Sequence, residues 1–308
     1  MRALIVTNMY PTPARPELGS FVRDQVEALR RIDSVEVELF TFDPGGAAAY
    51  LKAAAALRRR HRHDNFDVVH AHFGLTAWPA FAAHARAHAV TLHGTDLVHP
   101  RSRAITTTAL PFLDLIATVS EPLATLVPAW AVRARKRAVL PAGVDLERFR
   151  PLPRAEARAA LDLEPTGRYL LFPADPARPE KRYRRALAAA GETQLLTLGN
   201  VDPARVPFYV NAANAVLIPS ERESFGLAVL EALACDVPVL ATPVGIAPAA
   251  LDGIAGTLCA PFDEHRWRAA LAPHLASEDP RIAGRARAER WSSDRMAAAV
   301  LEAWRGLM

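Results

Sequence analysis

Two carboxylates, Glu223 and Glu231, stand eight residues apart in Pro-Ser-Glu-Arg-Glu-Ser-Phe-Gly-Leu-Ala-Val-Leu-Glu-Ala-Leu-Ala-Cys-Asp-Val-Pro-Val-Leu-Ala, residues 219–241. Gly226 between them opens a helix predicted to run to about Ala234, with a strand, Val237 to Ala241, behind it. A strand, a glycine-bearing loop and a helix N-terminus form a site for an anion, because unpaired amides and the helix dipole point outward there. Glu223 falls in the loop, beside whatever carries the anion. Glu231 falls near mid-helix, where a buried acid needs a partner. A ligand with phosphates at one end and hydroxyls on either side of them satisfies all three features, and a nucleotide-sugar is such a ligand. The competing reading is a buried βαβ unit with two incidental glutamates.

A second stretch, Leu171-Phe172-Pro173-Ala174-Asp175-Pro176-Ala177-Arg178-Pro179-Glu180-Lys181, reads as a strand end and a proline-rich loop. A helix is predicted to start near Pro179, with Lys181 in its first turn. A cation there opposes the helix dipole. A bound diphosphate removes the conflict by taking both the amides and the ammonium. Arginine outnumbers lysine 34 to 3, so Lys181 is an outlier in a chain that writes nearly every cation as Arg.

Joined to Ser224-Phe225-Gly226-Leu227, Glu231-Ala232-Leu233-Ala234-Cys235 and Val237-Pro238-Val239-Leu240-Ala241, the two glutamates make an E-x7-E signature. The chain thereby resembles the retaining GT-B glycosyltransferases of the family 4 type, and within them the branch that includes the teichuronic-acid biosynthesis enzymes. The resemblance implies an α/β protein of two Rossmann-like domains facing each other across a cleft. It implies a metal-independent transferase, with no cofactor, moving a hexose-type sugar from a UDP- or GDP-linked donor to a hydroxyl of a saccharide or lipid-linked acceptor.

By the same resemblance Glu231 grips the ribose hydroxyls and Glu223, next to Ser224, positions the donor sugar. Amides at Phe225, Gly226 and Leu227 cradle phosphate or sugar, and Lys181 holds the diphosphate. The family pattern has Gly-Arg where this chain has Ala174-Asp175, so Arg178 is the candidate second cation, against an ordinary surface arginine. His93, in Val90-Thr91-Leu92-His93-Gly94-Thr95-Asp96, matches the family's histidine near the reacting sugar. Gly19 and Ser20, in Pro16-Glu17-Leu18-Gly19-Ser20-Phe21-Val22, resemble the glycine loop that approaches donor phosphates and acceptor, with a helix N-cap by Ser20 as the competing reading. Ser120-Glu121 resembles the family's Ser-Glu, a helix cap lining the cleft.

The elements that must position these residues alternate along the chain. Strands are predicted at Ala3–Thr7, Val35–Phe42, Val68–His72, Ala89–Leu92, Leu115–Val119 and Ala138–Leu140, with helices such as Phe21–Arg31 and Ala47–Arg60 between them. A proline-flanked connector around Gly143 to Pro153 follows, in which Ala142-Gly143-Val144-Asp145 stands for the family's Asn-Gly-Val-Asp. Further strands are predicted at Tyr169–Phe172, Gln194–Leu198, Ala215–Pro219 and Val237–Ala241. The expected domains are 1–150, on the acceptor side, and 151–308, on the donor side, with the last helix able to pack back on the first. The second domain reads as abridged, because Thr193 to Asn200 runs straight into Val201-Asp202-Pro203 without the family's usual extra strand-loop-helix.

The 308 residues suffice for two cores. No apolar run approaches the roughly 20 residues of a spanning helix, and the N-terminus carries no signal-peptide pattern. Two cysteines, Cys235 and Cys259, are too few for a disulfide framework, so a reduced, cytoplasmic setting is expected. Residues 1–150 hold 19 Lys/Arg against 14 Asp/Glu and the remainder 18 against 19. The basic excess includes residues 58–63 and 133–137. Each cluster is a solvated helix face or an attraction to an anionic bilayer or acceptor. Nucleic acid is not an expected partner.

Dinucleotide, P-loop and nucleophile-elbow patterns are absent, as is a D-x-D for a divalent metal. His70 and His72 share a strand face, but no nearby third ligand appears in the sequence. A nucleotide-sugar 2-epimerase and a catalytically silent relative are the alternatives. The first expects more cleft carboxylates than are seen; Asp175, Ala142 and the abridged domain speak for the second, and the retention of Glu223, Glu231, Lys181 and His93 together speaks against it.

Overall fold

A computed structural model describes residues 1–132 and 136–308. The chain forms two compact units. The first comprises Met1–Pro13, Leu18–Gly143 and Ser293–Met308; the second comprises Ala14–Glu17 and Val144–Ser292. The units therefore part after Gly143 rather than at 150, and the final helix belongs to the first.

The first unit is a six-stranded parallel sheet in the order β2-β1-β3-β4-β5-β6. Its strands are β1 Arg2–Thr7, β2 Glu36–Thr41, β3 Phe66–His72, β4 Ala85–Leu92, β5 Leu115–Thr118 and β6 Lys136–Val139. Residues 3–7 are buried without interruption, as expected of a strand covered on both faces. Strand β4 begins at Ala85 rather than Ala89; Arg86 and His88 broke the apolar run that marked it in the sequence.

Helix Ser20–Arg30 sends Val22, Val26 and Leu29 onto Ala3 and Ile5, at helical and strand spacing respectively. Helix Ser293–Arg305 packs beside it and adds Met296, Val300 and Trp304 to the same core. The helices after β2, β3, β4 and β5 cover the other face, as right-handed crossovers in this strand order require.

The second unit is a five-stranded parallel sheet, β11-β10-β9-β7-β8. Its strands are β7 Tyr169–Phe172, β8 Gln194–Thr197, β9 Ala215–Ile218, β10 Val239–Ala241 and β11 Leu258–Cys259. The two-residue β11 gave no sequence signal. Between β8 and helix Val206–Ala212 no further regular element intervenes.

Helix Leu227–Ala234 is apolar nearly all round and buries Val229, Leu230, Ala232, Leu233 and Ala234. Its C-terminal carbonyls are held by arginines from distant sequence. Arg285 Nη1 donates to Ala234 O at 2.9 Å, and Arg281 Nη1 donates to Cys235 O at 2.9 Å. Such partners satisfy the acceptors a helix end leaves open.

Candidate functional site

In the second unit Gly226 occupies the N-cap of helix Leu227–Ala234 at φ 95°, and no side chain caps that end. The amides that open the helix thus keep their outward-facing role. The next loop is tied on tightly. Ile246 N–H donates to Phe225 O at 2.6 Å, and a Cβ on Gly245, at φ +59°, would lie 2.3 Å from that oxygen. Two glycine loops at the strand ends are therefore locked against each other.

Lys181 and Glu223 meet there. Lys181 Nζ donates to Glu223 Oε1 at 2.6 Å and to Oε2 at 2.7 Å, and Ser220 Oγ donates to Oε1 at 2.7 Å. Both side chains are largely covered, 15% and 10% exposed. The setting of Lys181 differs from the expected first turn of an α-helix. Pro179–Lys181 is a 3₁₀ turn, Arg182 follows at φ 57°, and the α-helix starts only at Tyr183. Pro179 marked a helical start correctly, but the left-handed Arg182 ends the turn at once. The cation therefore faces no helix dipole, and Glu223 is its counter-charge. Glu221, whose amide donates to Glu180 O at 2.9 Å, ties the two loops together, and its carboxylate takes Arg182.

Arg178 is turned elsewhere: its guanidinium grips Glu180 at 2.7 Å and is 56% exposed. Glu231 lies on the second turn of the helix and is half-buried rather than buried. Its charge reaches Cys235, whose thiol is pushed up to about 12, by burial first and by Glu231 among the lesser causes. Ser224 is exposed, and Phe225 is buried at 7%.

In the first unit Gly19, not Ser20, is the N-cap of helix Ser20–Arg30, at φ 66°, and the Ser20 side chain makes no cap bond. A Cβ at Gly19 would sit 2.2 Å from Met9 O. We predict that Gly19→Ala costs about 1–3 kcal/mol, the range for enforced backbone strain. Urea unfolding of that variant checks this, and an unchanged midpoint would mean the loop holds another conformation. Ser120 takes the N-cap position of helix Glu121–Ala124, again without a side-chain bond.

His93 follows β4. Its amide donates to Asp96, which also accepts Gly74 N–H at 2.9 Å. Its ring lies 4.9 Å from Phe21 and 4.6 Å from Phe73, centroid to centroid. The missing third histidine beside His70 and His72 is His93 itself: the rings stack in series at 5.2 Å and 5.2 Å. Among the described residues no group of three or more His, Cys, Asp or Glu is arranged to hold a metal ion. The rings bond to one another and to their neighbours instead.

Trp304, 234 residues from His70, donates to it at 2.9 Å; nothing in the local sequence pointed to that partner. Burial, then the neighbouring His72, holds His70 well below the ordinary histidine range. Burial alone takes His72 to about 3, while burial and then His72 and His70 lower His93.

Two Rossmann-like parallel sheets, each with its candidate residues at strand ends, define the GT-B class of fold. Sucrose-phosphate synthase from Thermosynechococcus elongatus superposes with a TM-score of 0.77 at 20% identity, covering 100% of this chain and 99% of that one. Anabaena HepE, solved with UDP-glucose, superposes at 0.72 and 16% identity, covering 99% of each.

Residues 4–148 match Glycosyltransferase Family 4, and residues 167–291 match Glycosyl transferases group 1. The D-inositol 3-phosphate glycosyltransferase of Actinosynnema mirum is 31% identical over 85% of this chain and 77% of its own length. That of Segniliparus rotundus is 30% identical over 71% of this chain and 58% of its own length. The chain belongs to the family 4, group 1 glycosyltransferases, and it is an enzyme of that kind.

Proposed function

We propose that the protein moves a sugar from a nucleotide diphosphate donor to a hydroxyl acceptor, with retention at the anomeric carbon and without a metal. The observation that carries this is the Lys181–Glu223–Ser220 cluster beside the Gly226 helix start. An ammonium has three protons. Two are directed at Glu223, which leaves the third for a phosphate oxygen. As the sugar–oxygen bond breaks, charge accumulates on the departing diphosphate. Lys181 and the amides at Phe225, Gly226 and Leu227 stabilise it, an electrostatic contribution that is often the largest in catalysis.

Glu223, held by Lys181 and Ser220, presents a fixed carboxylate edge to the sugar hydroxyls. Glu231 takes the ribose hydroxyls. Arg178 serves the phosphates only by leaving Glu180, which makes it the weaker of the two cations. Gly19 and Ser20 bring backbone toward phosphate and acceptor.

HepE was solved with UDP-glucose bound, which favours a UDP-linked donor, with GDP as the other base to test. The curated relatives are named for D-inositol 3-phosphate, so a phosphorylated cyclitol joins saccharide and lipid-linked hydroxyls as candidate acceptors in glycoconjugate or polysaccharide synthesis. Nucleotide release from a panel of UDP- and GDP-sugars, with each acceptor and with EDTA, tests the reading. Loss of activity on chelation, inversion in the product, or release of free epimer would overturn it.

The acceptor side of the first unit favours contact with an anionic membrane. Helices Ala47–Arg60, Ala77–Ala80, Pro100–Ala109 and Ala129–Val132 contain no carboxylate. They expose Trp78, Ile105 and Trp130 together with Arg58, Arg59, Arg60, Arg101 and Arg103, and Phe112 is exposed in the turn Leu110–Phe112 that follows. Of the second basic cluster, residues 133–135 lie outside the described residues. Interfacial aromatics and basic side chains are the usual means of resting on a bilayer. No described helix is long and apolar enough to cross one. Removing Arg101 and Arg103 is expected to weaken binding to phosphatidylglycerol vesicles about tenfold or more, at ~1 kcal/mol per charge. Sedimentation with vesicles measures this, and equal binding to neutral vesicles would sink it.

A further inference from the structure

The three stacked histidines fix one another's protons. An indole nitrogen can only donate, so Trp304 Nε1–H points its proton at His70 Nδ1, 2.9 Å away. That nitrogen holds a lone pair, and the proton of His70 is on Nε2, 2.8 Å from Thr91 Oγ1. The next ring places His72 Nδ1 3.0 Å from His93 Nε2. The remaining nitrogen of His72, Nε2, is buried and meets no partner. If it carried the proton, a buried N–H would go without an acceptor, the rarer and costlier kind of unsatisfied group. The proton of His72 is therefore on Nδ1, and it donates to His93. His93 Nε2 accepts, which leaves the proton of a neutral His93 on Nδ1.

We infer that His72 is a positioning residue that locks His93 as its Nδ1–H tautomer, so that the nitrogen His93 keeps for a ligand is a hydrogen-bond donor. His93 then serves an oxygen of the donor sugar or of the acceptor by donating to it, and it takes no proton from an acceptor hydroxyl. The role in transfer rests on the reading of His93 as a site residue; the tautomer assignment does not. Phe21 and Phe73 against the His93 ring limit its rotation, so the lock persists when the outer nitrogen changes partner.

The test is ¹⁵N NMR of ring nitrogens in histidine-labelled full-length protein, read beside steady-state kinetics. The unaltered protein is expected to show His93 protonated on Nδ1 and bare on Nε2. In His72→Asp a carboxylate accepts where the imidazole donated, so the His93 proton moves to Nε2 and kcat falls about tenfold, the worth of one directed hydrogen bond, while KM for the nucleotide-sugar stays within about twofold. In His72→Asn the amide N–H stands where the imidazole Nδ1–H stood, and both the tautomer and most of kcat return. Nε2–H on His93 in the unaltered protein, or an unmoved tautomer in His72→Asp, overturns the lock. A shifted tautomer with unchanged kcat overturns the role of His93 in transfer and leaves the hydrogen-bond assignment standing.

Discussion

Replacing Lys181 with methionine is expected to lower kcat by about 10²–10³-fold, the range found when one preorganised charge-stabilising donor is removed. The argument is geometric. Both oxygens of Glu223 lie within 2.7 Å of the ammonium, so its position is set before any phosphate arrives. Arg178, the other candidate cation, is on Glu180 and takes over the charge only by leaving it. The substitution also leaves Glu223, only 10% exposed, with Ser220 as its remaining named partner, and a covered carboxylate that loses its cation destabilises the fold. Stability and catalysis must therefore be read apart. The double variant Lys181→Met with Glu223→Gln is expected to regain thermal stability and to regain no turnover. A single variant within threefold of the parent in kcat would remove Lys181 from the mechanism.

Glu231→Ala is expected to weaken UDP or GDP binding by about 1.5–3 kcal/mol, as for hydrogen bonds to a charged group. Alanine is the best helix former, so helix Leu227–Ala234 should persist. Calorimetric titration of the nucleotide reads the weakened binding directly, with Glu231→Gln intermediate because one acceptor remains. An unchanged titration in the alanine variant would detach the residue from the ribose.

Much of this was legible in the chain. Strands buried on both faces print as unbroken apolar runs, which is why β1, β7 and β9 stood out. Gly226 and Gly19 were legible because only glycine suits a left-handed turn with backbone 2.2 Å from a would-be Cβ, as at Gly19. What the chain hid were choices made by tertiary partners. Pro179-Glu180-Lys181 starts a helical turn by local rules, and only the left-handed Arg182 cuts it short. The pairing of Lys181 with Glu223 spans 42 residues, and that of His70 with Trp304 spans 234, separations that no periodicity records. Polar interruptions such as Arg86 and His88 shortened β4 in the sequence without shortening it in the sheet.

The return of Ser293–Met308 to the first unit has a practical consequence for anyone dissecting this enzyme. A fragment ending at Gly143 would leave Val26, Leu29 and the His70 ring uncovered, while residues 144–292, the whole second unit apart from Ala14–Glu17, form one insert between Gly143 and Ser293. A circular permutant that joins the C-terminal helix to Met1 is thus the natural way to make the first unit as a single stretch of polypeptide.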